Sequence, residues 1–376
     1  MGQGLDTSAY VHFPWCLKKC PYCDFASAAI RRGEVPHEDY TDAIVRELEG
    51  RPVAGRRLES VFFGGGTPSL WDPKALGRAL AALRGAFDAG GDLEITVECN
   101  PTSIDAEKAA ALREAGVNRL SIGVQSVNDG RLRFLGRLHD AAGALRALEA
   151  VVPVMERVSA DLMFGMPGQT ADDFEAEIDA VLATGVEHVS AYALTIEPDT
   201  QFGALHRKGR LTLAPEGDFA DTFERAREVF RAAGMIHYEV SNHALPGRTS
   251  QHNQHYWRGG DYLGLGAGAV GTLNGRRYKN DPRPERYLAA PAAAEVFEET
   301  LEPDDRVREA LMLGLRTDEG VRFDTVQART GLDARAGRER AIARRVASGD
   351  LVVDDERMRI PHERWLHLDG IVADLF

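Results

Sequence analysis

The sequence predicts an α/β protein in which a partial (β/α)6 TIM-like barrel precedes a mainly helical, winged-helix-like domain. Six short apolar strand patterns alternate with helical patterns between Tyr10 and Asn242, and this repetition is typical of a parallel sheet with right-handed crossovers. Polar residues stand at or near the carboxyl ends of the strands, the edge that carries the active site in β/α barrels: Glu98, Gln125, Asp161 and Glu197. After about Glu302 the alternation stops, which indicates a second unit.

The predicted strands are short apolar runs separated by helical segments with start signals. In chain order they read YVHFPW, LESVFF, EITVEC, NRLSIGVQ, VSADLMF and VSAYALTI. Asp72 followed by Pro73 predicts one helix start, because Asp caps a helix and Pro is tolerated at its first position. Thr170, with Asp173 three residues later, predicts another start in the style of a capping box.

Two of these strands alternate between polar and apolar residues. In EITVEC, Glu94, Thr96 and Glu98 share one face, and in RLSIGVQ the residues from Arg119 to Gln125 alternate in the same way. A closed eight-stranded barrel fills its interior with branched apolar side chains. A polar inner face therefore predicts an open, wetter barrel that holds a ligand.

Three units are expected along the chain. Residues 1–242 form the barrel, 243–300 a connecting segment rich in Gly and His that extends it, and 301–376 the C-terminal domain. The stretch 245–284 is too dense in glycine for regular helix. The C-terminal part carries two helical patterns and a hairpin-like LVVDDERMRI, and its mixed charge predicts packing against the barrel.

Composition excludes several functions. The formal net charge of −13 argues against a general nucleic-acid binder, which needs a basic surface. The chain lacks an apolar run of 18 residues, and MGQGLDTS at the start lacks an apolar signal region. We therefore expect a cytoplasmic protein with no transmembrane segment and at most transient membrane association, as a monomer or a dimer.

The stretch YVHFPWCLKKCPYCDFAS holds three of the four cysteines, Cys16, Cys20 and Cys23, spaced C-x3-C-x2-C. Three thiolates leave one iron of a 4Fe-4S cluster with an open coordination position, which indicates chemistry rather than structure. Zinc is the alternative and needs a fourth ligand, for which His12 and Asp24 are nearest. Cys99 points away from Glu98 by strand alternation, so we interpret it as a small buried hydrophobe.

This cysteine pattern after a first strand, with Tyr22 before the last cysteine, resembles the radical S-adenosylmethionine (SAM) enzymes. The resemblance spans nearly the whole chain and extends to the coproporphyrinogen-dehydrogenase-like branch, in particular its heme chaperones. The motifs that carry it are FFGGGTPS (62–69), ITVECNP (95–101), SIGVQS (121–126), DLMFGMPGQT (161–170) and HNQHYW (252–257).

The resemblance implies a SAM site along the strand ends. Glycines at 64–66 let backbone carbonyls approach the methionine amine, and Glu98 adds a carboxylate for it. Gln125 and Asp161 would bind the ribose, and Arg137 the carboxylate of SAM. The residues expected to contact SAM are Tyr10, Gly65, Gly66, Thr67, Glu98, Gln125, Arg137 and Asp161.

At one position the chain differs from the porphyrinogen decarboxylases of this branch, and this position distinguishes them from the heme chaperones. The porphyrinogen decarboxylases carry a further cysteine two residues after the last ligand, where this chain has Phe25. The resemblance therefore implies a heme chaperone that binds heme and passes it to acceptor proteins. The alternatives are an oxygen-independent coproporphyrinogen III dehydrogenase and a zinc scaffold without redox chemistry.

Heme needs an axial ligand, which is most often His, Cys, Met or Tyr. HNQHYW offers His252 as the candidate, with His255, Tyr256 and Trp257 beside it. A structural hydrogen-bonding role for His252 is the competing interpretation. His237 and His243 are weaker alternatives.

Overall fold

The computed structural model describes residues 6–376, so the predicted lack of a signal in MGQGLDTS lies largely outside the described residues. The strands are β1 (Asp6–Phe13), β2 (Trp15–Cys16), β3 (Ala28–Ala29), β4 (Arg57–Gly65), β5 (Asp88–Cys99), β6 (Arg119–Gln125), β7 (Arg157–Phe164), β8 (His188–Ala193), β9 (Ile236–Glu239), β10 (Asn242–Ala244), β11 (Asp261–Leu265), β12 (Val270–Leu273), β13 (Arg276–Asn280), β14 (Glu295–Thr300), β15 (Val321–Arg322), β16 (Val352–Val353) and β17 (Arg357–Arg359).

The α-helices lie mostly between the strands, as the alternating pattern predicts. They are α1 (His37–Glu49), α2 (Pro73–Ala86), α3 (Ala106–Glu114), α4 (Asp129–Phe134), α5 (Ala141–Val151), α6 (Ala171–Leu182), α7 (Gln201–Arg207), α8 (Glu216–Ala232), α9 (Gln251–Trp257), α10 (Pro284–Ala289), α11 (Pro303–Gly314), α12 (Phe323–Thr330), α13 (Glu339–Ala347) and α14 (Leu368–Ala373).

The predicted barrel is confirmed in its six strands and their direction. Strands β1, β4, β5, β6, β7 and β8 are neighbours in that order, and all five pairings between them are parallel. Antiparallel β10 and β9 follow β8, and β11 pairs in parallel with the other side of β1. Strands β12, β13 and β14 continue beyond β11, so residues 261–300 extend the same sheet.

Both predicted helix starts are present. The Asp72 carboxylate accepts the Lys74 and Ala75 amides at the start of α2. Thr170 and Asp173 form a reciprocal capping box at the start of α6. These local signals satisfy amide groups that a helix leaves without partners in its first turn.

The inner face of β5 and β6 is polar and buried, as alternation predicts. Glu94 is fully shielded and accepts a hydrogen bond from Arg157 at 2.7 Å, with Arg119 at 3.9 Å. Burial disfavours the Glu94 carboxylate, but Arg119 and Arg157 outweigh it and lower its pKa. The amides of Gln251 and His252 donate to the same carboxylate at 3.0 and 2.9 Å.

The expectation that residues 245–284 contain no regular helix is wrong. Helix α9 (Gln251–Trp257) lies inside this stretch and packs against β4 and β1. The run from Ser250 to Arg258 has no glycine, and Ser250 caps it by accepting the Asn253 amide. Glu94 stabilises the same helix start from inside the barrel, a tertiary contact that composition does not report.

The C-terminal part has the predicted helices and hairpin. Helices α11, α12 and α13 precede the β16–β17 hairpin, and β15 joins it in the order β15-β17-β16, which is a winged-helix arrangement. Arg316 pairs with buried Glu239 of the barrel at 2.8 Å. The ring of Trp365 meets that of His237 edge-on at 4.4 Å. The domain therefore packs on the barrel beside β9.

The division of the chain at residues 242 and 301 stays a prediction. Strand β10 spans residues 242–244 and pairs with β8, so the first residues after 242 still belong to the barrel sheet. Within residues 6–376, no helix combines the length and apolar character that crossing a bilayer requires.

Removing the Glu94 carboxylate tests this account of the barrel interior. Glu94→Leu leaves Arg157 and Arg119 buried without their carboxylate and removes the acceptor at the start of α9. We expect a loss of about 3–5 kcal/mol in the free energy of unfolding, measured by urea denaturation. Glu298→Leu, at an exposed ion pair with Arg276, should cost under about 1 kcal/mol. Equal losses in the two variants would contradict the role given to Glu94.

Candidate functional site

The cysteine loop leaves the carboxyl end of β1 and returns to it. Cys16 in β2 pairs with Ala29 in β3, and the Cys23 amide donates to the Cys20 carbonyl at 3.2 Å. All three thiols are partly buried and free of disulfides. The loop therefore presents three thiols at the barrel mouth, as the sequence predicts.

The loop environment does not favour thiolates by itself. Burial raises the pKa of Cys16, and it raises the pKa of Cys23 to about 11. Repulsion from an ionised Cys20 also disfavours the thiolate form of each of these two residues, which acts on their pKa in the same direction. A cationic group bound at the loop would reverse this balance, because metal coordination deprotonates thiols.

The three thiols lie around the loop rather than at one point. Among residues 6–376, no three His, Cys, Asp or Glu side chains converge closely enough to hold a single metal ion. In a 4Fe-4S cluster each thiolate binds a different iron, so such ligands surround the cluster and need not converge. The arrangement is compatible with that kind of group.

The three glycines at the end of β4 lie in close contact with the chain that enters the loop. A side chain at Gly66 would place its Cβ 2.5 Å from the Trp15 carbonyl oxygen. Gly65 has φ +105°, and a Cβ there would meet the His12 ring. The Gly65 amide donates to Glu98 at 2.9 Å. Glycine is thus required at these positions by space and by conformation.

Two carboxylates face each other across the ends of β5 and β7. Burial, together with the nearby charge of Asp161, raises the pKa of Glu98 to about 8. Burial raises the pKa of Asp161 to about 6, against hydrogen bonds from Ser190 and Ser121. This pair favours a bound cation, since a positive ligand would relieve both carboxylates.

Arg137 connects the loop with β6. Its guanidinium donates to the Gly123 carbonyl at 2.8 Å and lies 3.6 Å from Cys20 Sγ and 3.5 Å from the Tyr22 hydroxyl. Its Nε is buried and has no partner among the described residues. A buried donor without an acceptor is unusual in a folded protein and fits a ligand with a carboxylate.

Gln125 ends β6 in a conformation that few residues adopt. Its φ is +69°, and apart from Gln125 only Asn274 shows a positive φ among the described residues other than glycine. The Thr67 amide donates to the Trp15 carbonyl at 2.8 Å, which places Thr67 beside the loop. The structure thus gathers Gly65, Gly66, Thr67, Glu98, Gln125, Arg137 and Asp161 around the carboxyl ends of β4–β7.

Comparison with known proteins agrees with this geometry. The model of the radical SAM superfamily matches residues 10–181, and that of the HemN C-terminal domain matches residues 301–366. The heme chaperone HemW of Escherichia coli is 41% identical over 71% of this chain and 70% of its own length. The HemW of Synechocystis is 36% identical over 84% of this chain and 79% of its own. The chain belongs to the HemW family.

A mammalian relative and a solved structure extend the comparison. The mouse mitochondrial radical S-adenosyl methionine domain-containing protein 1 is 36% identical over 97% of this chain and 86% of its own. Coproporphyrinogen III oxidase (HemN) of Escherichia coli has the same fold, with a TM-score of 0.82 and 22% identity over 99% of this chain and 90% of that one. Membership in the radical SAM superfamily implies a 4Fe-4S cluster and SAM as cofactors.

The first histidine of the segment HNQHYW, His252, lies inside the barrel rather than at its mouth. His252 Nδ1 is 2.8 Å from the Ser60 hydroxyl, and its ring stacks on Phe62 at 4.9 Å. Burial lowers the pKa of His252 to about 3, so its imidazole is neutral at pH 7. These contacts favour the structural interpretation of His252.

The other candidate heme ligands differ in how far the protein encloses them. His237 and His243 are buried with their rings stacked at 3.9 Å, and His255 bonds the Asp261 carbonyl at 2.8 Å. His255 is half-buried, and Tyr256 is 37% exposed. Glu197, expected near a strand end, lies four residues beyond β8 and outside the gathered set.

His12 is a site residue that the sequence analysis did not assign except as a fourth zinc ligand. Its Nδ1 is 2.9 Å from the Tyr10 hydroxyl and its Nε2 is 2.9 Å from the Ala26 carbonyl, in the returning arm of the cysteine loop. Strand alternation places residues 10 and 12 on one face, and this period-two signal could have identified His12. It fixes Tyr10 against the loop.

The raised pKa of Glu98 predicts a pH-dependent stability for the cluster-free protein. Since the folded state holds this proton more tightly than the unfolded state, its contribution is complete below about pH 4.5 and is lost as the pH rises through about 8. We expect Glu98→Gln to remove a loss that totals up to about 5 kcal/mol between these limits, of which about 3 kcal/mol falls above pH 6. Urea denaturation of both proteins at pH 6 and pH 9 measures it. The same pH slope in wild type and variant would contradict the raised pKa.

Proposed function

We propose that Cys16, Cys20 and Cys23 hold a 4Fe-4S cluster, that SAM binds beside it, and that the protein carries heme to acceptor proteins. The supporting observation is the set of three half-buried thiols at the end of β1, next to Arg137 and to two carboxylates that a cation would satisfy. When bound, such a cluster supplies one electron and one iron with an open coordination position.

Each proposed SAM contact follows from the chemistry of its side chain. The Glu98 carboxylate and the backbone at Gly65 and Gly66 would accept hydrogen bonds from the amine of SAM. The guanidinium of Arg137, with its unpartnered Nε, would bind the carboxylate. SAM also carries a positive sulfonium, so a ligand with two cationic groups suits a site in which burial raises the pKa of both carboxylates.

The remaining contacts would orient the nucleoside. Gln125 and Asp161 stand at the ends of β6 and β7 and would hydrogen-bond the ribose hydroxyls. Thr67 shapes the edge next to the cysteine loop. Tyr10, whose hydroxyl is held by His12, forms a wall of the interior below the glycines.

Phe25 favours heme transfer over porphyrinogen decarboxylation. Its side chain is 53% exposed two residues after Cys23, and no thiol stands there to take part in a decarboxylation. The HemW relatives are named heme chaperones, and the HemN neighbour shares only the fold at 22% identity. The heme ligand is not assigned to His252, because its ring is enclosed by Ser60 and Phe62.

Two assays on anaerobically reconstituted protein separate these functions. We expect stoichiometric heme binding, followed by the Soret absorbance, and no consumption of coproporphyrinogen III with SAM and a reductant. The His252→Ala variant should bind heme with unchanged stoichiometry if its role is structural. Steady turnover of coproporphyrinogen would overturn the proposal in favour of the dehydrogenase.

A further inference from the structure

One buried carboxylate holds the segment between two of the proposed SAM contacts. Glu177 lies on α6 and is 3% exposed. It accepts hydrogen bonds from the Ser126 hydroxyl, from the Val127 amide at 2.8 Å and from Arg131 at 2.7 Å. Gln169, in the DLMFGMPGQT motif, donates to it at 3.3 Å.

These contacts begin at the residue that follows Gln125. The φ of +69° at Gln125 is a conformation that a residue with a side chain keeps only when its surroundings impose it. Ser126 and Val127 are the next two residues, and both are bound to the Glu177 carboxylate. The Glu177 carboxylate therefore fixes the backbone immediately after Gln125, where the chain leaves β6.

The Glu177 carboxylate is also connected to Arg137, the second of the two proposed SAM contacts, through α4. Arg131 lies in this helix, which ends at Phe134 and leads directly to Arg137. Arg137 in turn donates to the Gly123 carbonyl, and His139 lies 2.9 Å from the Val124 carbonyl. Residues 123–139 thus form a closed loop that α6 anchors from outside.

We propose that Glu177 is a positioning residue of the nucleoside site, which sets Gln125 and Arg137 in their binding geometry without touching the ligand. The proposal rests on the proposed function, since it takes these two residues as SAM contacts. Without the charge at 177, Arg131 keeps only Asp173 as an ionic partner, at 2.7 Å. In Glu177→Gln one acceptor oxygen remains where the carboxylate has two, so the bonds from Ser126 and Val127 cannot persist together with the one from Arg131.

Glu47 provides a matched control for a purely structural effect. It is 2% exposed and likewise has several donors, the Gly266 amide at 2.9 Å, Asn280 at 2.8 Å, Tyr287 at 2.7 Å and Arg51. None of these donors is a proposed SAM contact. Glu47→Gln should therefore lower stability in the same way as Glu177→Gln but leave SAM affinity unchanged.

The experiment compares SAM binding to reconstituted wild type, Glu177→Gln and Glu47→Gln by equilibrium dialysis, with iron content and melting temperature alongside. We expect the SAM dissociation constant to rise about tenfold or more in Glu177→Gln, the order found when a group that orients a binding residue is removed. Iron content should be unchanged. In the cluster-free variant, hydrogen exchange of the amides at 127–131 should be faster than in wild type.

The outcomes separate the inference from the function it rests on. If wild type binds no SAM, the proposed function fails. If wild type binds SAM and Glu177→Gln binds it equally well, Glu177 is structural only and the inference is overturned. Should Glu177→Gln not fold, Ser126→Ala decides, since it removes one of the same bonds. A weaker SAM affinity in Ser126→Ala supports the inference, and an unchanged one overturns it.

Discussion

Close backbone contact between the end of β4 and the chain entering the cysteine loop is the constraint on which the site depends. The Gly66 amide donates to the Phe13 carbonyl at 2.7 Å, and the Thr67 amide to the Trp15 carbonyl at 2.8 Å. Any side chain at residue 66 would collide with these carbonyls. Because Cys16 follows Trp15 directly, this contact sets where the first thiol stands relative to the carboxyl edge of the sheet.

The barrel interior contains two groups of charged side chains, one at each end of the parallel strands. At the amino-terminal end, Glu94 is matched by Arg119, Arg157 and the start of α9, so its charge is satisfied within the protein. At the carboxyl end, Glu98 and Asp161 have less compensation, and desolvation raises the pKa of Glu98 to about 8 and that of Asp161 to about 6. The first group stabilises the fold, and the second is suited to a cationic ligand.

Local signals explain which features could be predicted from the sequence. The six strands, the caps at Asp72 and Thr170, and the hairpin depend on neighbouring residues, and the polar face of β5 follows from a period of two. Helix α9 was missed because its start is stabilised by Glu94, far away in the chain. The Glu177 network was equally invisible, since one acidic residue among several on α6 looks like a solvated one.

The central claim is that three cysteines bind a cluster and leave one iron open to SAM. Electron paramagnetic resonance of the reduced, reconstituted protein tests it most directly, with and without SAM. The account predicts a 4Fe-4S signal that changes on addition of SAM, persists in Cys99→Ser and is lost in Cys23→Ser. A signal that SAM leaves unaltered, or one that survives in Cys23→Ser, would contradict it.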